Sequence, residues 1–265
     1  MTKPCLEIDP EALTLDPKHA AARGESLRDQ YEAADPFPHV VIDNFLPESL
    51  AQECLERFPD LEKSESFYES EPEFRKASYS PDTLHPRLRD VFHLANSAPF
   101  LRFLGELTGI EGLISDPYFR GGGLHETIRG GRLDVHADFN FHSIMRVERR
   151  INVLIYLNRD WNPEWAGQLE LWDSEAKNKI KAIDPVFNRC VIFNTTSDSM
   201  HGHPEPLKTP EGVSRRSMAL YYYTSTWDET KNAHKTKYPR HNRNSIRSLA
   251  KRGVLSMKKK LGKTK

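Results

Sequence analysis

The sequence contains no run approaching the roughly 20 consecutive apolar residues that cross a bilayer, so no transmembrane segment is expected. From Met1 to Glu11 there is no basic patch followed by an apolar segment, and no secretory signal is read there. Cysteine is scarce. Cys5, Cys54 and Cys190 are widely spaced, too few for a disulfide framework, and they suit reduced thiols in a cytoplasmic protein. Cys190 falls in an apolar segment, where packing accounts for it. No internal repeat or low-complexity tract is visible. Gly121-Gly122-Gly123-Leu124-His125-Glu126 lacks the G-x-x-x-x-G-K-[ST] pattern, which argues against a phosphate loop and for a flexible connection between elements. At 265 residues the chain is long enough for one domain with a substantial core and helical additions.

Against these absences stands His136-Ala137-Asp138, followed far downstream by His201 and then Arg216. Residues two apart on a strand point the same way, so His136 and Asp138 can present two ligands to one point. A distant histidine would complete a two-histidine, one-carboxylate face, which suits Fe(II) with positions left for a co-substrate and O2. The short motif alone is weak, since about one H-x-D is expected by chance in such a composition. Its surroundings strengthen it. Arg132-Leu133-Asp134-Val135-His136 alternates like a strand after a Gly130-Gly131 turn. Further strands are expected at residues 151–157, 168–172, 190–193 and 217–223, and short strands separated by turn signals read as a sandwich or barrel.

At this point the residues resemble a known family. Residues 121–224 are similar to the catalytic core of Fe(II)/2-oxoglutarate dioxygenases of the prolyl-4-hydroxylase-like branch. The matching blocks are His136-Ala137-Asp138, Tyr156-Leu157-Asn158-Arg159-Asp160-Trp161, Gly167-Gln168-Leu169-Glu170-Leu171-Trp172, the stretch from Phe193 to His201, and Arg216 with the strand after it. Residues 36–45 add a looser similarity. Ala166 departs from the pattern, standing where the family often has a second glycine. The resemblance implies a mostly β protein with supporting helices around a double-stranded β-helix (jelly-roll) core. It also implies Fe(II), 2-oxoglutarate and O2, with ascorbate as an accessory reductant. Because Asp138 is present, it implies hydroxylation; halogenating relatives leave that carboxylate position vacant.

Two choices between neighbours follow. His201 and His203 would share a face of an extended segment, so periodicity does not separate them; the family spacing after Phe193 selects His201 as the third ligand. His203-Pro204-Glu205 mimics a second motif, but the proline spoils a paired strand. Arg215 and Arg216 must face opposite ways. Arg216 shares its side with Met218 and Leu220, an apolar pair suited to an interior, and the family match also selects it as partner of the 2-oxoglutarate C5 carboxylate. Tyr156 resembles the tyrosine whose hydroxyl meets that carboxylate, and Leu154 and Leu169 stand where the family lines the co-substrate pocket. Both leucines also suit a plain core. His125, Asn140 and His142 are candidates for the substrate side.

The remainder divides into an N-terminal extension (residues 1–35), the dioxygenase domain with its N-terminal helices (36–229) and a basic C-terminal tail (230–265). Residues 36–45 read as an entering strand. Residues 47–58 place Leu50, Cys54, Leu55 and Phe58 on one helical face closed by Pro59, and helices recur around 88–94 and 99–107, the last capped by Gly109. Residues 64–86 read as a polar loop bearing Phe67, Tyr68, Phe74 and Tyr79, packed on its own rings or serving as a substrate lid. Lysine plus arginine and aspartate plus glutamate balance at 38 each, yet after Glu229 there are 13 basic residues and no acid. Within the tail Ile246, Leu249, Gly253, Met257 and Leu261 recur at helical spacing. A solvated tail, or one binding nucleic acid, an anionic membrane surface or the acidic body of this chain, fits that pattern.

Two functional classes result. One is a dioxygenase acting on a prolyl residue of a protein or peptide, or on a small molecule. The other is a non-catalytic binding module on the same barrel, its basic tail holding nucleic acid or an anionic surface. The full set of H-x-D, distal histidine and arginine favours the enzyme.

Overall fold

The computed structural model describes residues 3–227 and 230–239. A short hairpin of β1 (Ile8–Asp9) and β2 (Thr14–Leu15) leads into α1 (Pro17–Glu25) and α2 (Arg28–Glu32). Asp16 starts α1 by accepting the His19 amide at 2.7 Å, with Pro17 in the first turn. β3 (His39–Ile42) and α3 (Glu48–Glu56) follow, then β4 (Ser66–Ser70), β5 (Glu73–Tyr79), α4 (Pro86–Ala95) and α5 (Ala98–Thr108). Gly109 ends α5 in the left-handed region at φ 67°. The remaining strands are β6 (Ile114–Ser115), β7 (Gly123–His136), β8 (Phe141–His142), β9 (Val147–Tyr156), β10 (Leu169–Trp172), β11 (Lys179–Ile183), β12 (Cys190–Asn194), β13 (His201–His203) and β14 (Arg215–Thr224).

The main sheet runs β11-β10-β13-β7-β14-β9-β12-β3, every neighbouring pair antiparallel, and curls into the expected jelly-roll core. β7 joins its two halves: its first residues pair with β14 and its last with β13. The Gly130-Gly131 turn expected before a short strand is instead an irregularity within this one long strand, Gly130 having φ 78°. Gly121 and Gly122 do precede it, and Gly123 opens it, where a Cβ would lie 2.3 Å from the Tyr79 carbonyl oxygen.

The curled sheet is apolar on both faces, each for a different reason. Ile151, Val153 and Ile155 of β9, Cys190 and Ile192 of β12, and Met218 and Leu220 of β14 pack with the helices in the larger core. The alternate residues Tyr156, Val191 and Phe193 join Leu169, Leu171 and Ile183 in a smaller core inside the curl. α3, α4 and α5 form as expected and belong to the outer layer. The described residues of the N-terminal extension, residues 1–35, pack on the helical layer. α1 packs on α5 so closely that a Cβ on Gly24 would lie 2.3 Å from the Phe103 carbonyl oxygen. Residues 64–86 likewise hold a hairpin, β4 with β5, that pairs onto β7, rather than an irregular loop. The helical spacing from Ile246 to Leu261 lies outside the described residues.

Candidate metal centre

β13 lies antiparallel to β7 with His201 directly opposite His136, bringing the two rings to a centroid separation of 4.4 Å. Asp138, two residues beyond His136, returns to the same side. One ligand atom from each of His136, Asp138 and His201 lies within 4.8 Å of the others, the only such cluster among the described residues. The ring geometry fixes the donors. His136 Nδ1 lies 2.8 Å from the Asp134 carbonyl oxygen and His201 Nδ1 lies 2.9 Å from that of Ser199. A carbonyl only accepts, so both Nδ1 atoms carry the proton and both Nε2 lone pairs are free. These Nε2 atoms stand 3.5 Å and 3.4 Å from the two oxygens of Asp138. A converging pair of neutral imidazoles and one carboxylate is the donor set of a divalent transition metal, and Fe(II) fits it.

The three groups line a cavity of about 380 Å³ together with Leu154, Leu169 and Arg215. Here an expectation is reversed: Arg215, not Arg216, faces the interior. Arg215 is buried, donates from Nε to the Gly167 carbonyl oxygen at 2.7 Å and from Nη2 to the Tyr156 hydroxyl at 3.1 Å, and meets no carboxylate among the described residues. Arg216 lies on the other face, opposite Glu126 of β7, whose buried carboxylate it pairs with at 3.0 Å; its guanidinium also covers the Phe58 ring. Met218 and Leu220 do share its side, but that side faces the helices rather than the cavity. The apolar face was therefore the wrong guide to the interior.

Residues 122–223 match the model of the 2OG-Fe(II) oxygenase superfamily. By that match they are a 2OG-Fe(II) oxygenase domain. Mouse prolyl 3-hydroxylase OGFOD1 is 26% identical over 193 residues, which cover 71% of this chain. The match spans only 33% of the mouse protein, about a third of its length. A Trichoplax adhaerens prolyl hydroxylase, solved with a hypoxia inducible factor oxygen degradation domain peptide fragment, superposes with a TM-score of 0.54 at 19% identity, over 78% of this chain and 91% of that one. HygX from Streptomyces hygroscopicus, solved with nickel and 2-oxoglutarate bound, gives a TM-score of 0.52 at 12% identity, over 76% of this chain and 89% of that one.

Within the oxygenase domain, the carboxylate is held by groups that sequence reasoning missed. Asp138 Oδ2 accepts from Arg149 Nη2 at 2.9 Å and from Asn152 Nδ2 at 2.7 Å. Burial alone would raise the Asp138 carboxyl, but the Arg149 guanidinium beside it holds it well below the usual carboxylate range. Arg149 is fully buried and lies over the Tyr221 ring at 3.5 Å. Residues three apart on a regular strand face opposite ways. Here Tyr222 pairs with Ile151 and Tyr223 with Arg149, so Arg150 is extra and returns Arg149 to the side of Asn152. The signal available was an arginine and an asparagine interrupting an apolar strand.

His125 lines the cavity, its Nε2 3.1 Å from the Gly121 carbonyl oxygen. His203 also lines it; it is buried, and its Nδ1 has no hydrogen-bond partner among the described residues. Burial, with Arg215 nearby, lowers its pKa well below the usual histidine value, which keeps the ring neutral. Asn140 and His142 do not line the cavity. β8 turns away to pair with β9, and the His142 ring is enclosed beside Tyr118 and Tyr223. The Asn140 side chain is taken up by a later segment, accepting the His234 amide at 2.8 Å and donating to the Asn232 carbonyl at 3.0 Å. That segment corrects the boundary drawn after residue 229. Thr236 and Tyr238 of the expected tail are walls of the cavity.

Proposed function

We propose that this chain is an Fe(II)- and 2-oxoglutarate-dependent dioxygenase that hydroxylates an unactivated C–H bond, with a prolyl residue of a protein or peptide as its substrate. One observation carries this reading: a buried arginine that meets no carboxylate among the described residues shares a cavity with two opposed histidines and an aspartate. In it His136, Asp138 and His201 hold the iron. Arg215 takes the place first given to Arg216, and with the Tyr156 hydroxyl it receives the distal carboxylate of 2-oxoglutarate between the apolar walls of Leu154 and Leu169. His125 is assigned to the substrate side.

Bound iron, with 2-oxoglutarate and O2, supplies the oxidising chemistry, releasing succinate and CO2 as one oxygen enters the substrate. The protein's own groups bind and orient. The carbonyls of Asp134 and Ser199 keep the histidine Nδ1 protons in place, so Nε2 stays available. Arg149 and Asn152 hold Asp138 ionised and fix its rotation. Arg215 offers a planar pair of donors to a carboxylate that would otherwise be buried unpaired. Leu154 and Leu169 limit water at the co-substrate.

Proline as substrate is supported by the prolyl hydroxylase relatives, and ascorbate as an external reductant belongs to the same reading. The three buried free thiols support a cytoplasmic location. No helix among the described residues is long and apolar enough to cross a membrane. A cell lysate treated with the protein, Fe(II) and 2-oxoglutarate should yield proteins or peptides carrying one added oxygen on proline, found by mass spectrometry. His201→Ala should abolish them. Oxygen addition that persists in His201→Ala, or that is absent with the wild-type protein, would contradict the reading.

A further inference from the structure

Residues 230–239 lie along the cavity as a strap fastened at several points. Lys231 Nζ pairs with Glu148 at 2.7 Å, His234 Nε2 meets the Ser197 hydroxyl at 2.8 Å, and Asn140 bonds the strap backbone through both ends of its amide. The tightest fastening is at the metal site. Ala137, the residue between His136 and Asp138, exchanges both backbone hydrogen bonds with Lys237, at 2.9 Å and 2.8 Å. This antiparallel bridge extends the pairing of β7 beyond its last residue and sets Tyr238 beside His136, ring centroids 5.4 Å apart. Tyr238 lines the cavity on the side of Glu73 of the β5 hairpin strand.

The consequence concerns His136. Its Nδ1 is anchored to a carbonyl, which fixes one edge of the ring, but a single hydrogen bond leaves the ring free to rock about it. Phe193 lies edge-on to His201 at 4.8 Å, and the His201 ring lies tilted against that of His136. Tyr238 lies against His136 in turn. We propose that Tyr238 is a positioning residue, delivered by the strap to hold the His136 ring in the orientation that ligates metal, so that residues 230–239 are part of the active site rather than a tail. The proposal rests on the reading of His136 as a metal ligand.

The test is isothermal titration of the metal-free, full-length protein with Zn²⁺, alongside Tyr238→Ala, Tyr238→Phe, Asn140→Ala and His136→Ala, each checked for folding by circular dichroism. Loss of an outer partner of a metal-ligating histidine weakens affinity by roughly 10–100-fold, and Tyr238→Ala should fall in that range. Tyr238→Phe keeps the ring and should stay within a few-fold of wild type, a rescue that general destabilisation would not produce. Asn140→Ala loosens the strap away from His136 and should weaken binding several-fold; it decides the matter should Tyr238→Ala not fold. Unchanged affinity in folded Tyr238→Ala, or in Asn140→Ala where Tyr238→Ala does not fold, would overturn the proposal. His136→Ala separates the two readings. If it too binds as wild type, the metal assignment fails; if it alone loses binding, only the role of Tyr238 fails.

Discussion

At the scale of single residues, the site depends on which buried charges have partners. Arg216 is satisfied by Glu126, whereas Arg215 enters the cavity and meets no carboxylate among the described residues. Arg215→Lys should therefore raise the 2-oxoglutarate concentration needed for half-maximal succinate release by roughly 10–100-fold, because an ammonium does not reproduce the planar donor pair. Arg216→Lys should shift it little, and equal effects would refute the assignment of faces. Arg149 has a separate role. It keeps Asp138 well below the ordinary carboxylate value, so wild-type Asp138 is charged at any pH above about 4. The stability linked to this depressed carboxyl is present above the unfolded value and lost as pH falls through the folded one. Arg149→Met removes the cation and lets the Asp138 carboxyl rise, so the pH at which Zn²⁺ binding fails should move upward. A pH profile identical to wild type would show that Arg149 does not set that charge. His136 and Asp138 were legible because period-2 spacing alone brings them together. Arg149 was not, because it reaches Asp138 only through a bulge that no local pattern reveals.

At the scale of elements, strand positions were legible and their facing was not. β9, β12 and β14 lie where apolar, β-branched runs placed them, but both their faces are buried, one under helices and one in the curl. An apolar face thus did not mark the lumen, and this reversed the choice between the two arginines. Leu220→Ala should cost about 2–5 kcal/mol in urea unfolding, as a core cavity does, with Zn²⁺ affinity nearly unchanged in the folded protein. A large loss of metal affinity would mean that this face does reach the site. The turn before β10 offers the opposite test. Ala166 sits at φ 62°, ψ −154°, a region nearly reserved for glycine, which explains why a glycine is expected there. Ala166→Gly should stabilise the protein by about 1 kcal/mol, the relieved strain exceeding the added unfolded-state entropy. A lower melting temperature would contradict that account.

For the whole molecule, the segments at either end of the barrel are built into it. α1 packs on α5 at one end of the chain, while the strap pairs with Ala137, between His136 and Asp138, at the other. Composition suggested a break after Glu229, where acids cease, but backbone pairing continues to Lys237. Charge asymmetry reports on composition and carries no information about such pairing. The metal should connect these parts, since His136 and His201 lie on different strands. Zn²⁺ at 100 times its dissociation constant should add about 2.7 kcal/mol to folding, seen as a raised melting temperature that a chelator reverses. The most direct measurement of the central claim is succinate formed from 2-oxoglutarate by the purified full-length protein with Fe(II) in air. Succinate should appear in the wild type, disappear under anaerobic conditions or with chelator, and be absent in Asp138→Ala. No succinate from the wild-type protein above the chelator control, or equal amounts from Asp138→Ala, would contradict the assignment of this cavity as a dioxygenase site.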